Sequence, residues 1–227
     1  MTARRRGLAL AVPVALVLLG APAAPASGDD ASPITGVAID TAAGRIRLAP
    51  VDPAAVAAVV DGLPENMRGL AQVAAISLGV AIQLTRDQAR QGSRPIPPGV
   101  RRLLAPYFPP EAFARVRWNV ADPSRLSLEG VMTINKDVDA ITLDDVVVFP
   151  SCEMGFTRWD LWSHELVHVL QYAQMGIAHF AEVYVGTAGA ALENQAYGWQ
   201  DYVNRRVRDS GAAPGTGGNP PLPAPCR

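Results

Sequence analysis

The stretch from Thr157 to Gly176 most narrows what this chain can fold into, because it reads as one helix with both ends marked. Thr157 followed three residues later by Asp160 resembles a capping box, with Asp in place of the usual Glu or Gln. Gly176 stands where a left-handed glycine closes a helix. Inside that helix lies His164-Glu165-Leu166-Val167-His168. Helical residues four apart share a face, so both imidazoles project the same way, one turn apart. Two nitrogens so placed can bind one tetrahedral zinc. Glu165 sits beside that position but points slightly off it, which suits it to take a proton from water acidified by the metal. The H-E-x-x-H pattern on a helix predicts that chemistry. The plainer alternative is a surface helix whose His and Glu are merely solvated. Against it, the chain has only three histidines, and two of them stand in the motif.

Catalytic zinc sites take three protein ligands and keep one position open. A His six residues after His168 would complete one common arrangement, but that position is Gln174. Glu193, Glu182 and His179 remain as candidates. Glu193, near the start of the last expected helix, is favoured if that helix packs across the motif helix; the other two stay open. A metal-bound His usually gives its second N–H to an acceptor, for which Asn194 and Asp201 are candidates. Tyr184, Tyr197 and Tyr202 are candidate phenols for a tetrahedral oxyanion. Gln171 either lines the site or caps a side-chain network. Trp159 and Trp162 read as core.

The rest of the chain predicts an α+β fold, mainly helical, with a small β-sheet near the motif helix. Asp52-Pro53 reads as an N-cap and first helical residue, opening a short helix to about Val60. A longer helix is expected from Pro64 to Gln91, with a broad apolar face through Met67, Leu70, Val73, Ala74, Val80, Ile82 and Leu84. Residues 92–99 are a Pro/Gly break. Helical pieces follow at Val100–Tyr107 and Glu111–Arg115, then strand-like runs at Val116–Val120, Val131–Ile134, Ala140–Leu143 and Val146–Phe149. The last of these is the strand expected beside a substrate groove. Further helices are expected at Ile177–Tyr184 and Ala190–Val207. Four segments result: a leader (1–26), an N-terminal helical segment (27–93), the motif domain (94–208) and a Pro/Gly-rich tail (209–227).

The first segment has the secretory pattern. Arg4-Arg5-Arg6 is followed by the apolar run Leu8–Leu19 and a small-residue cleavage site at Ala24-Pro25-Ala26. The apolar run is short for a membrane span and contains Pro13, so cleavage near Ala26 and a secreted or extracytoplasmic location are expected. No other segment is expected to cross a bilayer. Formal net charge is −1, and losing the three leader arginines makes it more negative. No basic face suggests nucleic acid. The two cysteines, Cys152 and Cys226, permit one disulfide in an exported chain.

The run Trp162-Ser163-His164-Glu165-Leu166-Val167-His168-Val169-Leu170-Gln171 resembles the core of a family of bacterial metallopeptidase domains. Those domains often occur in toxins and cargo linked to extracellular contractile injection systems. The likeness extends upstream through Arg94–Pro98, Val116–Trp118 and Asp139–Phe149, and downstream to Leu192-Glu193 and Ala196-Tyr197. It spans roughly Asp87 to Arg206 and leaves most of residues 50–86 outside. It implies a zincin-like fold of the Glu-ligand type, with Zn2+ held by His164, His168 and Glu193, and Glu165 as the base. The expected function is that of an exported zinc metallopeptidase acting on a peptide or protein substrate. A non-catalytic zinc-binding assembly or carrier module of a secretion or toxin system is the alternative.

Overall fold

A computed structural model describes residues 33–121 and 139–211. Its elements run β1 (Val37–Asp40), β2 (Arg45–Leu48), α1 (Pro53–Asp61), α2 (Glu65–Arg90), β3 (Arg94–Pro95), α3 (Pro98–Leu104), α4 (Pro110–Arg115) and β4 (Arg117–Val120). After the undescribed stretch come β5 (Ile141–Leu143), β6 (Val146–Phe149), α5 (Cys152–Thr157), α6 (Trp159–Gly186) and α7 (Ala190–Asp209). The fold is mixed α+β and mostly helical, with two small sheets. The leader, Val131–Ile134, Cys226 and the tail beyond residue 211 lie outside the described residues.

The Val-Val-Val-Phe run dictates the centre. A strand apolar on both faces must be covered on both, and every residue of β6 is buried. The larger sheet has the order β3-β4-β6-β5. β4 pairs parallel to β6, with Trp118 opposite Val147. β5 pairs antiparallel to it, with Thr142 opposite Val147. The two-residue period of a strand sends Val147 and Phe149 to one face, where they join Trp118 and the α6 residues Trp162, Leu166 and Leu170. Val146 and Val148 point the other way, into a second cluster with Ala75, Leu78 and Ile82 of α2. The sheet is thus a layer between the first arm of α6 and α2. Trp118 meets Phe149, Phe156 and Trp162 edge-on, at centroid distances of 6.0, 5.2 and 6.4 Å. Gly155 makes room for it: a Cβ there would sit 2.2 Å from the indole.

The turn between β5 and β6 is clamped by arginines. Asp144 takes φ 56°, a left-handed conformation that Asp tolerates better than most residues. Arg115 bonds Asp144 at 2.8 Å, Arg86 bonds Asp145 at 2.8 Å, and Arg90 also bonds Asp145. Burial pushes the Asp145 carboxyl up, but the two guanidinium partners outweigh it and hold it below the usual carboxylate range. These bonds fasten α2, from the segment before residue 94, to the hairpin that carries β5.

Several expectations change in the structure. β6 does not flank a groove: β4 and β5 occupy both its edges, and among the described residues the edge strand on that side is β5. The capping box at Thr157 does not form. Thr157 donates to the Glu153 carbonyl, and Asp160 pairs with Arg158 instead. Ser151 caps a separate short helix, α5. Gly176 does interrupt the motif helix, at φ 72°, but α6 resumes beyond it to Gly186. The broad apolar face of α2 is divided: Ile82 is buried, whereas Met67, Leu70, Val73, Val80 and Leu84 are exposed. By length and composition α2 also qualifies as long and apolar enough to cross a membrane, which the sequence reading did not anticipate. Asp52 caps α1 as expected, accepting from the Ala54 amide. Among the described residues no cysteine is free.

Candidate metal centre

Two helices build the site. His164, Glu165 and His168 are buried on the first arm of α6, enclosed by the sheet and by α7. After Gly186 the chain reverses through Thr187–Gly189. Gly189 takes φ 80° and packs on the Tyr184 ring, where a Cβ would lie 3.2 Å away. α7 then returns along α6 on the buried stripe Leu192, Ala196, Trp199, Val203 and Val207, spaced as one helical face requires. Glu193, next to the first residue of that stripe and in the first turn of α7, is carried against both histidines. The positive end of the helix favours a carboxylate there.

His164 Nε2 lies 3.1 Å from His168 Nε2. Glu193 places Oε2 3.2 Å from His164 Nε2 and Oε1 3.6 Å from His168 Nε2. Metal–ligand bonds of about 2.0–2.1 Å imply a tetrahedral edge of about 3.3 Å, and the three separations bracket that value. Two imidazoles and a carboxylate are also a chemically sound donor set for a divalent metal. The residues therefore fit a metal ion, and His164, His168 and Glu193 would hold it.

The tautomer of His168 follows from its neighbours. Gln171 Nε2 donates to the Leu192 carbonyl at 3.2 Å and to Gln195 Oε1 at 2.9 Å. Its Oε1 must therefore face His168 Nδ1, 2.8 Å away, and accept from it. With its proton on Nδ1, neutral His168 turns the Nε2 lone pair to the site. Gln195 Nε2 extends the chain by donating to the Val37 carbonyl of β1 at 2.8 Å. His164 has no such support among the described residues: its buried Nδ1 lacks a hydrogen-bond partner there.

The electrostatics favour a positive charge between these groups. Burial works against a charged His168, but the Glu193 carboxylate overrides it and pushes the imidazole up to about 9. Burial likewise opposes the Glu193 charge, and the two histidines outweigh it, holding Glu193 well below the carboxylate range. Glu165 is oriented from the sheet: Thr142 on β5 donates to its Oε2 at 2.7 Å.

Of the third-ligand candidates, the structure brings Glu193 to the histidines and leaves Glu182 and His179 outside the group. Past Gly176 the second arm turns Phe180 toward His168, with ring centroids 6.2 Å apart. Glu182 instead borders a groove with α1 and α2. Asp201 is exposed on α7, and Gln171 serves as the acceptor for His168. Among the phenols, Tyr197 lies over His164, with ring centroids 4.5 Å apart. Tyr184 is half-buried near Glu193, and burial, then that carboxylate, pushes its hydroxyl up to about 12. Tyr202 stacks on Trp199 and bonds the Thr41 carbonyl, away from the site. Trp162 is core, donating to the Gly155 carbonyl at 2.7 Å. Sequence reasoning missed Thr142 and Gln195. Neither belongs to a recognisable motif; the only signal was a polar residue at an apolar position of a strand or helix face.

Comparison of the chain with protein-family models, with curated proteins and with solved structures gives no match. The geometry of the site therefore carries the functional reading.

Proposed function

We propose that this chain is an exported zinc-dependent peptidase with a zincin-like arrangement of the Glu-ligand type. The observation that carries the reading is the convergence of His164, His168 and Glu193 at tetrahedral-edge spacing, with Glu165 held beside them. A zinc ion bound there supplies Lewis acidity toward water and a substrate carbonyl. Glu165 acts as general base. Thr142 occupies its Oε2, which leaves Oε1 to take a proton from the attacking water and pass it to the leaving amine. An extended peptide has a natural seat along β5, the edge strand among the described residues, where main-chain pairing would hold it next to Glu165. The Tyr197 hydroxyl, on a half-exposed ring beside His164, is the phenol best placed to donate to a developing oxyanion. The secretory pattern at residues 1–26 and the resemblance around residues 162–171 point the same way.

Metal analysis and digestion of a peptide library test this together. The unaltered chain should carry stoichiometric zinc and cleave peptides. Glu165→Gln should keep the zinc and lose on the order of 10²–10⁴-fold in rate. His168→Ala should purify without zinc. Undiminished activity in Glu165→Gln would remove the proposed base. A zinc-loaded natural chain that cleaves nothing would turn the reading to a non-catalytic zinc-binding carrier or assembly module.

A further inference from the structure

The exposed side of α2 is built like an interface. Leu70, Val73, Ser77, Val80 and Leu84 follow a 3-4-3-4 spacing, which aligns them in one seam along the helix. Leu70, Val73, Val80 and Leu84 are between half and three-quarters exposed, as are Met67 and Ile76 on either side. Ser77 does not make the seam polar, because its hydroxyl is used on the Val73 carbonyl at 2.8 Å. No charged residue falls between Arg68 and Arg86. The six large side chains expose roughly 700 Å² of mainly apolar surface, more than the largest patch on a typical monomer, about 300–600 Å².

We infer that this seam pairs with the α2 seam of a second copy, in antiparallel orientation about a two-fold axis at Ser77. The inference is independent of the metal centre. An isologous contact must match its own rotated image, and this seam does. Rotation about Ser77 sets Leu70 against Leu84 and Val73 beside Val80, with the small Ser77 at the closest approach. It also sets Glu65 near Arg90 of the other copy, once at each end of the seam, so opposite charges meet there. The Arg90 side chain is 42% exposed, so it can take a second partner besides Asp145. The roughly 700 Å² that these side chains offer on each copy is the most they can bury, against a standard of about 800 Å² per partner. Beside the seam, a groove floored by Ala57, Ala75, Gly79 and Ala178 offers room for side chains of the other copy. A lipid surface suits the seam less well. Between Arg68 and Arg86 the seam has no aromatic residue and no basic residue of the kind that anchors a helix at headgroups.

Sedimentation velocity on residues 27–227, at tens of micromolar, tests the pairing. The chain should run at twice the monomer mass. Val73→Glu with Val80→Glu should run as a monomer with unchanged circular dichroism, since both positions face outward. Mixed Leu70→Cys and Leu84→Cys chains should crosslink to each other, and Leu70→Cys alone should not crosslink to itself. A natural chain that stays monomeric, whether or not it binds phosphatidylcholine–phosphatidylglycerol vesicles, overturns the inference. So does a dimer that survives the double Glu substitution, or one that crosslinks at Leu70 alone.

Discussion

The first arm of α6 and the whole of α2 are long helices of similar Ala, Val and Leu content, and they meet solvent in opposite ways. In α6 the polar residues are inside: His164, Glu165, His168 and Gln171 are all buried. In α2 the large apolar residues are outside, with Leu70 73% exposed. Position in the layers explains the difference. α6 lies between the sheet and α7, so every face is covered and each polar group needs a partner, from Thr142, Gln171 or Glu193. α2 is an outer layer and meets the sheet and the second arm of α6 through a narrow stripe that includes Ala71, Ala75, Leu78, Ile82 and Ala89. Buried polar groups concentrate chemistry in the one helix; uncovered apolar groups leave the other with surface to bury elsewhere.

The sharpest way to break this contrast is to place the same charge on both helices. Val167→Glu puts an unpaired carboxylate at a fully buried position of α6. It should cost more than about 3 kcal/mol or prevent folding, as buried unpaired charges do. Val80→Glu on α2 should shift the stability of the single chain by no more than about 0.5 kcal/mol. Urea denaturation of the two variants measures both. Equal costs would mean that α2 is covered within its own chain.

A smaller effect should follow from removing the amide relay. Gln171→Ala leaves His168 Nδ1 without its acceptor and should weaken zinc binding about 10–100-fold. Gln195→Ala, one step further out, should weaken it less. Chelator competition distinguishes the two, and an unchanged affinity in Gln171→Ala would show that α6 alone fixes the imidazole.

The mildest expected effect is a pH dependence of the metal-free chain. His168 is raised to about 9, so its contribution is complete below its unfolded value of about 6.5 and fades as the pH climbs toward 9. Glu193 is depressed, so its contribution is present above its unfolded value of about 4.3 and fades as the pH falls toward the lowered one. Thermal melts in chelator should therefore show the largest share from this pair between about pH 4.3 and 6.5. Glu193→Gln should flatten that maximum. Zinc must displace the His168 proton, so its affinity should rise with pH up to about 9.

What was legible in the sequence is what short-range geometry controls. A four-residue interval on a helix forces His164 and His168 onto one face whatever surrounds them. Gly176 marks the place where the helix can break, because glycine adopts the left-handed φ that other residues avoid. A Val-Val-Val-Phe run must be a covered strand. The choice of Glu193 over Glu182 and His179 was only favoured by the sequence. It became definite when the turn at Gly189 returned α7 along α6, and when the bend at Gly176 carried His179 aside. Thr142 and Gln195 were out of reach for a related reason. Each meets its partner across more than twenty residues of chain, and no local periodicity encodes which strand edge or helix turn will arrive there. The same limit applies to α2: its pattern declared a broad apolar face, but only the placement of the sheet and of α6 decided which part of that face is buried. Local chain geometry fixes where a side chain points along its own helix or strand; packing of whole layers decides what it finds there.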